Sequence, residues 1–436
     1  MSGRWRWNLA LVGAAGIAAS LVTAGTATAQ THSTIAIVGA TVHTMGSAGT
    51  LQDATVLIEG GRIRAVGKGL AIPPGARTID AHGKVVTPGL FDSLTQLGIV
   101  EVNAVAGTRD GSEQNDRITA AFDVADALNP RSMLLPINRV EGLTRAVVAP
   151  GNGKSLIAGR GAVIHLGLGP DLLVRSPVAM FAVLGEEGAR LAGGSRSAAM
   201  LVLREALDDA LDYAAHREAW ERAARRPYTL SRLDLEALLP VARGELPLVL
   251  SVQRASDIEA ALKLGRERHL KLILAGCDEA WMVADEIAAA QVPILINPLD
   301  DLPSTFQQLG ATLENAARLH KAGVTFAFMS GDAHNARNLR QAAGNAVAYG
   351  LPWDEALRAM TVNPAHIWHL EDRLGSLEPG KEADLVIWDG DPLEVTSGAE
   401  KVFIRGVEMP TKTRQTELRD RYKNLGGPLP PAYQKP

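Results

Sequence analysis

Val85-Val86-Thr87-Pro88-Gly89-Leu90-Phe91-Asp92-Ser93-Leu94-Thr95-Gln96-Leu97-Gly98 reads as a short apolar strand that breaks into a polar turn. Pro88 and Gly89 punctuate its start, and Asp92 interrupts its apolar run. The chain before it looks like a small β unit over residues 34 to 86. Thr34 to Val38, Ala54 to Ile58 and Arg62 to Val66 are β-rich runs separated by Gly39, Gly60-Gly61 and Gly67. The chain after it, residues 99 to 135, is polar and irregular, with Gly107-Thr108-Arg109-Asp110-Gly111 at its centre.

Further on, strand and helix patterns alternate, which implies a parallel sheet. Strands are expected at Arg145 to Ala149, Ala162 to Leu166, Val178 to Leu184, Pro247 to Val252, Leu270 to Ala275, Val292 to Ile296 and Val324 to Met329. The clearest helix runs over 197–225, with Leu203, Leu207, Ala210, Leu211 and Ala214 at helical spacing. Others cover Asp257 to Arg268 and Glu279 to Ala290. The loop Pro150-Gly151-Asn152-Gly153-Lys154-Ser155 has the ending of a phosphate-binding loop. Val148 stands where that motif needs glycine and no helix pattern follows, so it reads as an ordinary loop.

Near the C-terminus, Leu374-Gly375-Ser376-Leu377-Glu378-Pro379-Gly380-Lys381-Glu382-Ala383-Asp384-Leu385-Val386-Ile387-Trp388 is a turn followed by a strand. Together with Pro88-Gly89-x-x-Asp92 and Thr361-Val362-Asn363-Pro364-Ala365, it resembles the amidohydrolase superfamily, in its imidazolonepropionase-like, amidohydrolase-related branch. The resemblance spans nearly the whole chain after residue 29. It implies an α/β fold: a (β/α)8 TIM-like barrel over 87–370, beside a small β-sandwich formed by the N-terminal segment 30–86 and the C-terminal segment 371–408. Residues 409–436 remain as a surface tail.

The resemblance also implies a chemistry. One or two divalent ions activate a water molecule and polarise the scissile carbonyl. An aspartate after the eighth strand moves the proton, and Asp332 matches it. Histidines after the first, fifth and sixth strands hold the metal in the family. Here those positions fall on Leu94, Gln96, Ser251 and Ala275 or Gly276. A catalytic zinc needs about three protein ligands, and Asp332 alone does not supply them. The expectation is therefore no metal and no other cofactor, with zinc or another divalent ion only if the site is rebuilt. His165, His334 and Asp332 are the one rebuilt set on offer. The plainer reading has His334 capping the last turn and His165 as a buried structural residue. Asp332 is the candidate catalytic residue. Gln96, Ser251, Arg254, His334 and Arg337 are the candidate substrate-binding residues, with Arg254, Arg337 and His334 as the cations expected around Asp332.

The full chain of 436 residues has a net charge of −4 and 46% hydrophobic residues, enough for one large domain with an accessory domain. It carries no basic field for nucleic acid. Cys277 is its one cysteine, which excludes a disulfide framework and a Cys-rich metal centre. Arg4 and Arg6, the apolar stretch Leu9 to Val22 and Ala27-Thr28-Ala29 have the order of a cleaved signal peptide, 1–29. The apolar run is shorter than the ~20 residues a membrane span needs. The expectation is an exported, periplasmic or secreted protein with no stable membrane insertion, acting on a small molecule, with oligomers left open. Two functions follow: a hydrolase of carbon–nitrogen bonds other than peptide bonds, or a barrel that binds a small molecule or protein partner and catalyses nothing.

Overall fold

A computed structural model describes residues 34–423 except Asp116 and Asp301. The expected leader and residues 424–436 lie outside the described residues. Five strands open the chain: β1 Ile35–His43, β2 Thr50–Glu59, β3 Arg62–Gly67, β4 Arg77–Asp80 and β5 Val85–Pro88. Then come β6 Leu90–Thr95, β7 Leu143–Val148, β8 Ile157–His165, β9 Leu173–Val183, β10 Leu248–Val252, β11 Leu272–Gly276, β12 Ile294–Ile296 and β13 Phe326–Phe328. The last three are β14 Leu385–Trp388, β15 Ala399–Ile404 and β16 Val407–Glu408.

The first five strands and the last three form one sheet, in the order β16-β15-β14-β5-β1-β2-β3. The two ends of the chain meet where Val85–Pro88 pairs antiparallel with Leu385–Trp388. The sheet forks at β1. Its first half pairs with β4 through Ile35 to Val38, and its second half with β5 through Thr41 and Val42. The fork lets the sheet fold over its own core of Ile37, Val56, Ile58, Ile63, Val86, Leu385, Ile387 and Phe403.

The strands β6 to β13 follow one another in chain order around a nearly closed barrel. Side chains alternate as a pleat requires. Phe91, Val147, Val163, Phe181, Val249, Ile273, Leu295 and Ala327 belong to the interior cluster, joined from one end by Ile367, Trp368, Leu370 and Leu374. Their neighbours Ala146, Val148, Ile164, Leu250, Leu274, Ile296 and Phe328 belong to the larger cluster that includes the helices. The longest of these is Arg196–Ala215; it breaks at His216, before Arg217–Glu221. No described helix is long and apolar enough to cross a membrane.

The expected all-parallel sheet is corrected at one strand. β8 runs antiparallel to both β7 and β9, while the remaining paired strands are parallel. The reason is chain length. Parallel neighbours need a crossover of about a dozen residues or more. The connections 149–156 and 166–172 are too short for that, so the chain doubles back as hairpins.

The barrel is laddered everywhere except between β13 and β6. Near one end, Ala359 and Met360 fill this seam: their carbonyl groups accept the Phe328 and Phe91 N–H groups at 2.9 and 2.8 Å. At the other end Gly331 N–H donates to the Leu94 carbonyl at 3.0 Å.

Candidate functional site

The C-terminal ends of the parallel strands gather the sequence-predicted residues at one mouth, as the barrel geometry requires. Asp332 lies in the turn after β13. Its Oδ1 accepts the His334 N–H at 2.8 Å and its Oδ2 accepts from Asn335 Nδ2 at 3.1 Å. Its side chain is 33% exposed, so water and a ligand can reach it. His334 joins the loop after β13 to the loop after β6: its Nε2 donates to the Glu101 carbonyl at 2.9 Å. That bond fixes the proton on Nε2 in the neutral ring. The other ring nitrogen is then left as an acceptor; it is buried, without a hydrogen-bond partner, and stands 3.9 Å from Asp332 Oδ1.

Of the cations expected around Asp332, His334 stands beside it and the two arginines are spent elsewhere. Arg254 caps the helix Ala255–Arg268 and pairs with Asp257, three residues on, at 3.0 Å. Arg196 holds the other oxygen of Asp257 at 2.9 Å. Arg337 donates to the His334 carbonyl and to Asn335 Oδ1, so it braces the turn without touching the carboxylate. Backbone and amide donors do the work assigned to arginines.

The amide of Gln96 packs against two loops, at Gly111 and Gly151. A Cβ on Gly111 or on Gly151 would lie 2.8 Å from Gln96 Nε2, so a side chain at either position would displace the amide. The two glycines are joined directly, Gly151 N–H to the Gly111 carbonyl at 2.7 Å. Ser251 is the last residue but one of β10, in register between Val183 and Ala275. Leu94 and Met329 pack against the barrel's interior cluster, which holds Phe91 and Ala275, so the floor of the mouth is largely apolar.

Among the described residues no group of three or more His, Cys, Asp or Glu side chains is placed to hold a metal ion. The mouth supplies Asp332, the free His334 Nδ1, an amide and a hydroxyl; one carboxylate and one imidazole fall short of the about three protein ligands a catalytic zinc needs. The set built on His165 fails for a geometric reason. Because β8 is reversed, His165 pairs with Arg145 near the start of β7, at the opposite end of the barrel. It is 3% exposed, and its Nδ1 accepts the Gly167 N–H at 3.0 Å. Burial, with Arg405 and Arg145 nearby, lowers its pKa to about 4.

Sequence reasoning quoted Asp92 but missed its place. It is wholly buried at the mouth end of β6. One oxygen accepts the Leu94 and Ser330 N–H groups at 3.2 and 3.0 Å; the other has no partner. Burial pushes its pKa up to about 7, bonds from Ser330 and Leu94 pull it down, and the neighbouring charge of Asp332 raises it further. A carboxyl group inside an apolar strand was the signal available.

A second missed feature is the strap 302–311 after β12. Gly310 N–H donates to Glu279 at 2.9 Å, Gln308 to Asp278, and Gln307 accepts the Glu186 N–H at 2.9 Å. It therefore crosses from β12 past the loop after β11 to the loop after β9. Phe306 on it is 84% exposed. Asp278 is buried, which lifts its pKa to about 6; the Gln308 bond lowers it, and Asp300 and Glu279 raise it.

A family model described as "Amidohydrolase family" matches residues 254–412. The chain is 26% identical over 398 residues to an imidazolonepropionase of Deinococcus radiodurans, covering 84% of this chain and 94% of that protein. It is 25% identical to the amidohydrolase tasK of Hapsidospora irregularis over 80% of this chain, but spans only 39% of that protein. The solved structure of an amidohydrolase from Thermotoga maritima MSB8 superposes with a TM-score of 0.78 at 28% identity, over 87% of this chain and all 100% of the other. A molinate hydrolase structure, at 20% identity and a TM-score of 0.53 over 87% of this chain and 95% of the other, shares the fold.

Proposed function

Because the chain belongs to the amidohydrolase superfamily, we propose that it is an exported hydrolase of carbon–nitrogen bonds other than peptide bonds, working without a bound metal. The observation that carries this reading is the Asp332 carboxylate, partly exposed after β13 and held by the His334 N–H and Asn335. A carboxylate so placed can take a proton from water and return it to a leaving nitrogen. In place of a metal, the amide of Gln96 and the hydroxyl of Ser251 would donate to the substrate's carbonyl oxygen as negative charge develops there. The leader-like segment 1–29 supports export to the periplasm or secretion.

The test is a panel of cyclic amides, imides and imidazolones, incubated with the purified protein in the presence of a chelator. Turnover by the wild type that is lost in Asp332→Asn supports the reading. Compounds that raise the melting temperature but are never turned over would instead make the protein a small-molecule-binding barrel. Turnover that appears only on adding a divalent ion would overturn the metal-free part.

A further inference from the structure

We infer that Asp92 is the positioning residue of the mouth: through Ser330 it closes the barrel seam and sets where the Asp332 carboxylate stands. The inference rests on the reading that Asp332 is the working carboxylate. β6 and β13 are the two edges of the barrel sheet. At the mouth end of this seam two contacts bridge them, the Gly331 N–H to the Leu94 carbonyl and the Ser330 N–H to Asp92 Oδ1. The same Asp92 oxygen accepts the Leu94 N–H. One carboxyl oxygen thus gathers a donor from each side of the break.

Ser330 passes this fixation on. Its hydroxyl donates to the Asp332 carbonyl at 3.2 Å and accepts the Asp332 N–H at 3.3 Å. Asp332 in turn accepts the His334 N–H. The chain of contacts runs from a wholly buried acid to a partly exposed one. A carbonyl side chain at position 92 is needed for its accepting oxygen, and the charge is not. Leucine or alanine there would strand the Ser330 and Leu94 donors beneath the mouth, a cost of the kind that moves backbone.

The experiment uses the whole protein with 15N-labelled backbone and 13C-labelled aspartate carboxyl groups. The Asp332 resonance is assigned by its absence in Asp332→Asn. In Asp92→Ala, exchange of the Ser330 amide should quicken by about tenfold or more, and the Asp332 resonance should move. Asp92→Asn keeps an accepting oxygen and should restore both. Ser330→Ala should move the Asp332 resonance while the Gly331 amide stays slow; it carries the test if Asp92→Ala does not fold. Unchanged Ser330 exchange in folded Asp92→Ala, or an unmoved Asp332 resonance in Ser330→Ala, would overturn the inference. These readouts need no substrate, so a failed search for hydrolysis leaves them standing.

Discussion

Arg145 reaches out of the barrel to hold Asp384 of the terminal sheet, with their side chains 2% and 7% exposed. Its other arm takes Glu382 at 2.6 Å. Arg373 and Arg405 also reach Glu382. Arg145→Leu leaves two buried carboxylates short of a partner, and breaking such a cluster from one side costs about 3–5 kcal/mol. Urea unfolding should show that loss, with the barrel and sheet no longer melting together.

Asp332→Asn should abolish hydrolysis of any substrate found. Removing the group that handles the proton costs about 10²–10⁴ in kcat. The turn itself should survive, because the amide still accepts from the His334 N–H. Steady-state kinetics and a melting curve on the same sample separate the two effects. A variant that loses stability and keeps its rate would make Asp332 structural.

Gly151→Ala tests the packing around Gln96. The new methyl group would meet Gln96 Nε2 at 2.8 Å, so the amide must turn away or the loop must lift. The outcome expected is a rise in KM or a fall in kcat with a stability change of only about 0.5 kcal/mol, because the displaced group is the free end of a flexible side chain. Gln96→Ala in the same background should lower the activity no further.

Asp92 gives the protein a pH-dependent stability of defined sign. Its folded pKa of about 7 stands above the ordinary 3.8. Between these values the folded chain holds a proton that the unfolded chain has released, so this group's contribution is full at low pH and falls as pH rises to neutrality. The steepest slope is about 1.4 kcal/mol per unit. His165, depressed to about 4, works in the opposite direction: its contribution is present above about pH 6.5 and lost as pH falls. The measurement is therefore a difference. Subtracting the pH–stability curve of Asp92→Asn from that of the wild type should leave a falling line from about pH 4 to 7. A flat difference would contradict it.

Elemental analysis of gently purified protein should find much less than one zinc, manganese or iron per chain. Leu94, Gln96, Ser251 and Ala275 or Gly276 give no imidazole at the positions where the resemblance places the family's metal ligands. Stoichiometric metal that survives dialysis would restore ordinary metal chemistry to the mouth.

The strands at 35–67 and 248–328 were legible because alternating apolar residues and glycine breaks mark them whatever surrounds them. The place of Asp332 was legible because it directly follows the strand and small residues of Phe326-Ala327-Phe328-Met329-Ser330-Gly331. The reversal of β8 was not, since an alternating pattern reads the same in both directions; only the short connections before and after it carried the information. That is why His165 was placed at the wrong end. Arg254 and Arg337 misled for another reason: a long side chain has several partners within reach, and Asp257 and the His334 carbonyl lay closer than the mouth.

The reversed strand also decides from which side the barrel can be entered. Along β7 and β8 the mouth is bordered by a hairpin, whose tip 149–156 is tied down by the Gly151–Gly111 bond. Such a tip swings only if strand pairing frays. Opposite it, the strap 302–311 hangs on side-chain contacts to Asp278, Glu279 and Glu186, which can exchange for water one at a time. The two banks therefore differ in stiffness, and a visiting molecule would enter and leave over the strap, past Phe306, while the hairpin serves as a fixed wall.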